Sequence, residues 1–144
     1  MNIALNGIGW KKGDNAVIDD LDYPTDFHVL SSLKKKKRIE VRIVRNKNGA
    51  VTAEDFEAFV DKQTKALVVS HVSYLSGFRH NLKKLADLIH SYGGYLVVDR
   101  AQGVGGIKVD VKEDGVDLYS SIPYKWLNGP NGAVFLYIRE DLIP

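Results

Sequence analysis

Cysteine is missing from all 144 residues of the chain, which excludes disulfides, a thiolate nucleophile and cysteine-ligated zinc within this sequence. A reducing cytoplasm is compatible with that composition. Excess charge of one sign is missing too: 20 basic residues stand against 18 acidic ones, a net of +2, so no global field draws the chain to nucleic acid or to an anionic membrane. No stretch approaches the roughly 20 consecutive apolar residues of a membrane span. Met1-Asn2-Ile3-Ala4-Leu5-Asn6-Gly7 has no basic segment ahead of a long apolar one, as a signal peptide would. These absences predict a soluble, cytoplasmic protein with neither nucleic acid nor membrane as partner. The one basic run, Lys34-Lys35-Lys36-Lys37-Arg38, falls where a helix is predicted to end, and cations there complement the carbonyl end of the helix dipole.

What is present is a 44% hydrophobic chain of a length that supports one compact domain. Apolar, β-branched runs at residues 16–20, 41–45, 66–72, 95–99, 118–122 and 133–138 predict buried strands. Helical patterns lie between them. Pro24 suits a first helical turn and opens a helix to about residue 36, Thr52 caps a second, and Leu82, Leu85, Ala86 and Ile89 share one face of a third that stops at Gly93-Gly94. Alternating strands and helices predict a three-layer α/β fold, a mostly parallel sheet with helices on both faces. The last strand follows its neighbour after the short, turn-rich Asn128-Gly129-Pro130-Asn131-Gly132, so it is predicted to run antiparallel. Ligands of such sheets bind beyond the carboxyl ends of the strands. That rim comprises residues 20–23, 71–74, 99–102 and 122–125.

Two rim residues carry distinctive chemistry. Asp99 ends a strand whose preceding residues are all apolar, and a carboxylate emerging from a low-dielectric wall needs a partner. Capping the next loop, pairing with Arg100, or facing a pyridinium nitrogen would each supply one. Lys125 lies 26 positions later, between Tyr124 and Trp126, beyond the next predicted strand. A lysine among aromatic side chains is either a snorkelling surface group or an amine kept neutral enough to attack an aldehyde. An acid and a lysine on converging strand ends together point to pyridoxal 5′-phosphate.

Three ordered segments extend this pair: Ala66-Leu67-Val68-Val69-Ser70-His71-Val72-Ser73-Tyr74-Leu75-Ser76-Gly77, Leu96-Val97-Val98-Asp99-Arg100-Ala101-Gln102, and Tyr124-Lys125-Trp126-Leu127-Asn128-Gly129-Pro130-Asn131-Gly132. In this order and spacing they resemble the class V aminotransferase family of pyridoxal phosphate enzymes (fold type I), which includes cysteine desulfurases, selenocysteine lyases, kynureninases and an epimerase branch. The resemblance runs from Met1 to Pro144. It implies that Lys125 is the Schiff-base lysine, that Asp99 partners the pyridine nitrogen, and that Gln102 sits near the phenolic oxygen. It places Ala101 and Tyr23 on opposite faces of the ring and lets Tyr124 reach the phosphate. An amino-acid substrate and a homodimer are implied as well.

The sequence departs from the family at several points. Arg100 replaces a small residue and Ile122 a phosphate-binding hydroxyl, for which Ser120 or Ser121 is a substitute. Family members are more than twice as long. Residues 1–144 therefore resemble the central portion of the large, cofactor-binding domain, without the phosphate-loop region and the carboxyl-terminal small domain. An enzyme acting through Lys125 and an inactive, self-associating fragment of one are both consistent with that length. Gly103-Val104-Gly105-Gly106 lacks the third glycine of a dinucleotide loop. His28 reads as a surface or packing residue, and His71 as either a rim or a packing residue. His71 and His80 show no metal-ligand spacing with an acid, so no metal site is predicted.

Overall fold

Branched apolar runs bounded by turn residues become the strands of one six-stranded sheet. The computed structural model describes residues 1–143. In chain order the elements are α1 (Asn2–Gly7), β1 (Asn15–Asp19), α2 (Pro24–Lys37), β2 (Glu40–Val44), α3 (Ala53–Glu57), β3 (Thr64–Ser70), α4 (Leu82–Ser91), β4 (Tyr95–Asp99), β5 (Leu118–Ser121), β6 (Phe135–Ile138) and a final 3-10 turn (Glu140–Leu142). The strand order is β2-β1-β3-β4-β5-β6. Every neighbouring pair is parallel except β5 and β6, which run antiparallel as the short connection between them requires.

Strand alternation sorts the core into two layers. Val17, Leu67, Val69, Leu96 and Val98 face one side and pack with Phe56 of α3 and Leu82, Leu85 and Ile89 of α4. Ala16, Ile18, Ala66, Val68 and Val97 face the other side and pack with Leu5 of α1 and Leu30 and Leu33 of α2. Near-continuous apolar strands follow from being covered on both faces, and each fully buried Leu or Ile contributes roughly 1.5–3 kcal/mol. The predicted three-layer α/β fold is therefore the observed one. The short helix α1 has no counterpart in the sequence-based reading. Among the described residues no helix is long and apolar enough to cross a membrane.

Local signals set the helix ends. Pro24 occupies the first turn of α2, and Arg38 ends that helix in the left-handed conformation at φ 57°, placing the lysine run in its last turn. Thr52 and Asp55 form a reciprocal capping box at α3. Asn81 caps α4 by accepting the Lys84 N–H, and Gly93 follows the helix at φ 77°. These boundaries send the chain back across the sheet and leave the carboxyl ends of β3, β4 and β5 side by side with the amino end of α2.

Candidate active site

β3 and β4 pair Ser70 with Asp99, and β4 and β5 pair Asp99 with Ser120. Asp99 thus stands at the carboxyl edge of the central strands, flanked by two serines. Two residues beyond β5, the Pro123 carbonyl accepts the N–H groups of Leu127 and Gly129 at 3.2 and 3.1 Å. That closes a turn carrying Lys125. The six residues singled out in the sequence, Lys125, Asp99, Gln102, Ala101, Tyr124 and Tyr23, all line one cavity of about 360 Å³, a size typical of small-molecule sites. Its remaining wall includes Thr25 and Asp26 of α2, Val72 and Tyr74 after β3, and Val134, Phe135 and Leu136 at β6.

Within the cavity the Lys125 Nζ lies 5.9 Å from the centre of the Tyr23 ring. Tyr23 meets Tyr74 edge to face at 5.2 Å. Asp99 Oδ1 accepts the Ala101 N–H at 2.7 Å, so the loop-capping role is real, and the other carboxylate oxygen is left for a ligand. Burial pushes the Asp99 pKa upward against that hydrogen bond and against the positive charges of the Met1 amine and Lys125. Such a carboxyl is stabilised by a cationic partner.

Arg100 does not pair with Asp99. It is fully buried, bonds Asp114 at 2.5 Å, stacks on Tyr119 and lines no part of the cavity, so strand alternation has turned it away. Ile122 does line the cavity, as do Ser120 and Ser121, although the Ser121 hydroxyl donates to the Arg100 carbonyl at 3.0 Å. His71 is a packing residue, buried beside Arg79 and Arg100. Its pKa is pushed down to about 3 by burial first and by those two guanidinium groups second. His80 is buried and pairs with Asp19 at 3.1 Å, a partner that the sequence did not identify. His28 is exposed. The Gly103 to Gly106 stretch forms a turn after Arg100 and opens no helix, which removes the dinucleotide reading.

Sequence reasoning missed two acids at this site. Asp22 hydrogen-bonds the Ser70 hydroxyl, and Asp26 has neither carboxylate oxygen paired; both are buried, and burial raises both pKa values. A second depression of about 590 Å³, lined by His90, Val116, Tyr137 and Arg139, lies toward the other end of the same edge strand β6 and opens more widely to solvent. Its lysine and acids, Lys112, Glu140 and Asp141, are all exposed, unlike the half-buried Asp99.

The aminotransferase class-V family model matches residues 1–144. The chain belongs to the class-V aminotransferase family. Over 144 residues it is 31% identical to a probable cysteine desulfurase of Methanothermobacter thermautotrophicus, a match covering 99% of this chain and 36% of that protein. An uncharacterized aminotransferase of Bacillus subtilis is 32% identical over 139 residues, 96% of this chain and 36% of its own length. The apo structure of a cysteine desulfurase from Thermococcus onnurineus superposes with a TM-score of 0.90 at 29% identity, covering 97% of this chain and 36% of that one. The same fold, at TM-score 0.89 and 23% identity, occurs in a variant of a cystine C–S lyase with glycine covalently linked to its pyridoxal phosphate, matching 97% of this chain and 38% of that one. Pyridoxal phosphate is the cofactor of this class-V family. The chain spans about 36% of the length of the curated relatives cited.

Proposed function

We propose that this class-V chain is the central portion of a pyridoxal phosphate-binding large domain, with Lys125 as the residue that bonds the cofactor aldehyde and an amino acid as substrate. The observation that carries this reading is the convergence of Asp99 and Lys125 on one cavity already lined by Tyr23, Ala101, Gln102 and Tyr124. The donor set suits the group. A half-buried carboxyl with a raised pKa and one oxygen to spare fits a protonated ring nitrogen, and the small Ala101 together with the flat Tyr23 fits the two faces of an aromatic ring. Hydroxyls of Ser120 and Tyr124 are available for a phosphate.

When bound, the cofactor supplies an electron sink for the substrate carbon. Asp99 would hold the proton on the ring nitrogen, and its burial would strengthen that charge pair. The amine of Lys125 would move a proton at the substrate α-carbon. Tyr23 and Tyr74, packed edge to face, would form one wall beside the ring. Transamination, elimination, carbon–carbon cleavage and epimerisation all use these same residues.

Mixing the purified chain with pyridoxal phosphate tests the assignment through an absorbance near roughly 420 nm, where a lysine-bound cofactor absorbs. The absorbance should appear in the wild type and vanish in Lys125→Ala. Its persistence in the variant would overturn the role of Lys125. A second reading, a self-associating fragment without turnover of its own, is favoured by the exposed Val134, Phe135 and Leu136 at the terminal strand β6 and by exposed Trp126 and Leu127. Sedimentation of the chain as a monomer at micromolar concentration would remove it.

A further inference from the structure

Gln102 and Trp126 come from different segments of the rim, and Trp126 Nε1 donates to Gln102 Oε1 at 3.2 Å. An indole nitrogen can only donate, whereas a carboxamide carries an acceptor at one end and two donors at the other. The contact therefore decides which way round the amide lies, with its oxygen toward Trp126 and its nitrogen away. Gln102 lines the cavity; Trp126 does not, and it remains 56% exposed.

The indole is nevertheless seated. A Cβ on Gly106 would lie 3.5 Å from the indole Cδ2, in ordinary van der Waals contact with it. A Cβ on Gly105, which has φ +86°, would come within 2.8 Å of the Trp126 carbonyl oxygen. Gly105 and Gly106 thus present bare backbone on which Trp126 rests, and a side chain at Gly105 would displace it.

We infer that Trp126 is a positioning residue: seated on the glycine platform, its indole N–H orients the Gln102 carboxamide so that the NH2 group faces the cavity as a donor to an anionic oxygen on the cofactor ring. This rests on the pyridoxal phosphate site proposed above. Trp126 acts through Gln102 and touches no cofactor itself. A donor at that oxygen withdraws negative charge from it; without the donor, the more negative oxygen holds the proton on the neighbouring nitrogen contributed by Lys125 more tightly. The other titratable groups facing the cavity are Asp26, Asp99, Tyr23, Tyr74, Tyr124 and the Met1 amine, and a change at Trp126 leaves all of them in place.

Trp126→Phe keeps a ring on the platform and deletes the N–H. At so exposed a position it should fold as the wild type does, which circular dichroism checks. The bound cofactor's absorbance is titrated from about pH 6 to 10 in the wild type, Trp126→Phe, Gln102→Ala and the double variant. The transition should move upward by roughly 0.5–1 pH unit in Trp126→Phe, at least as far in Gln102→Ala, and no further in the double variant. Gln102→Glu, which still accepts from Trp126 but offers the cavity no donor, should shift as well. An unmoved Trp126→Phe titration overturns the proposal, and so does an additive double variant. If the wild type develops no cofactor absorbance, or keeps it in Lys125→Ala, the site reading fails first and the proposal fails with it.

Discussion

Asp26 sits in the first turn of α2, fully buried, with neither carboxylate oxygen paired. Burial, followed by the charges of Asp22 and Asp99, pushes its pKa from the ordinary 3.8 to about 8, against the pull of the Met1 amine. In the unfolded chain an aspartate titrates near its ordinary value. The folded state therefore keeps a proton that the unfolded state releases between those two pH values. The resulting stability is fully present below about pH 4 and is lost as the pH rises toward about 8. Within that window the states differ by nearly one proton, which is worth about 1.4 kcal/mol of stability per pH unit. Asp26→Asn preserves the shape of the side chain but stays neutral, so it removes this slope. Between about pH 5 and 7 the variant should gain on the wild type by about 3 kcal/mol, two units of that slope. Urea denaturation followed by circular dichroism at several pH values reads the difference, with unchanged m-values confirming the same two states. Parallel stability–pH curves for the two proteins would refute the claim that Asp26 is held neutral.

Other outcomes follow from the same geometry. Asp99→Asn should weaken pyridoxal phosphate binding by roughly tenfold to a hundredfold, the loss of a hydrogen bond to a charged group worth about 1.5–3 kcal/mol; an absorbance titration with the cofactor measures it. Gly129→Ala places a Cβ 2.6 Å from the Pro123 Cβ, at the turn whose closure presents Lys125. It should cost about 1–3 kcal/mol in urea denaturation and reduce the cofactor absorbance in proportion to the turn's displacement. Arg100→Ala removes the buried partner of Asp114 and the cation resting on Tyr119. A loss of about 3 kcal/mol is expected, with a lower thermal midpoint.

The layered fold was legible because strand and helix signals agreed along most of the chain. The runs that became β3 and β4 are apolar on both faces, as a sheet covered on both sides requires, and the short link to β6 dictated its reversal. Helix α1 was not legible: its six residues bury only Ala4 and Leu5, too little to mark a periodic face. Asp99 and Lys125 could be found because chain order and strand ends locate them together. The wall formed by Val134, Phe135, Leu136 and Asp26 could not, since it is assembled from segments with no local pattern in common. Asp26 in particular reads as an ordinary acid in a helix's first turn, where the dipole favours it, and only packing reveals that it is buried. Arg100 was ambiguous for a similar reason. Alternation places it on the opposite face from the cavity, but its partner Asp114 lies in a loop whose path the sequence does not specify.

The central claim is that Lys125, and no other amine, bonds the cofactor aldehyde. Treating the chain with pyridoxal phosphate, reducing with borohydride and mapping the peptides by mass spectrometry tests it directly. The account predicts a stable pyridoxyl adduct on Lys125, accompanied by loss of that adduct when Asp99 is replaced by a large apolar residue. Adducts spread over surface lysines such as Lys34 to Lys37, with Lys125 unmodified, would contradict it.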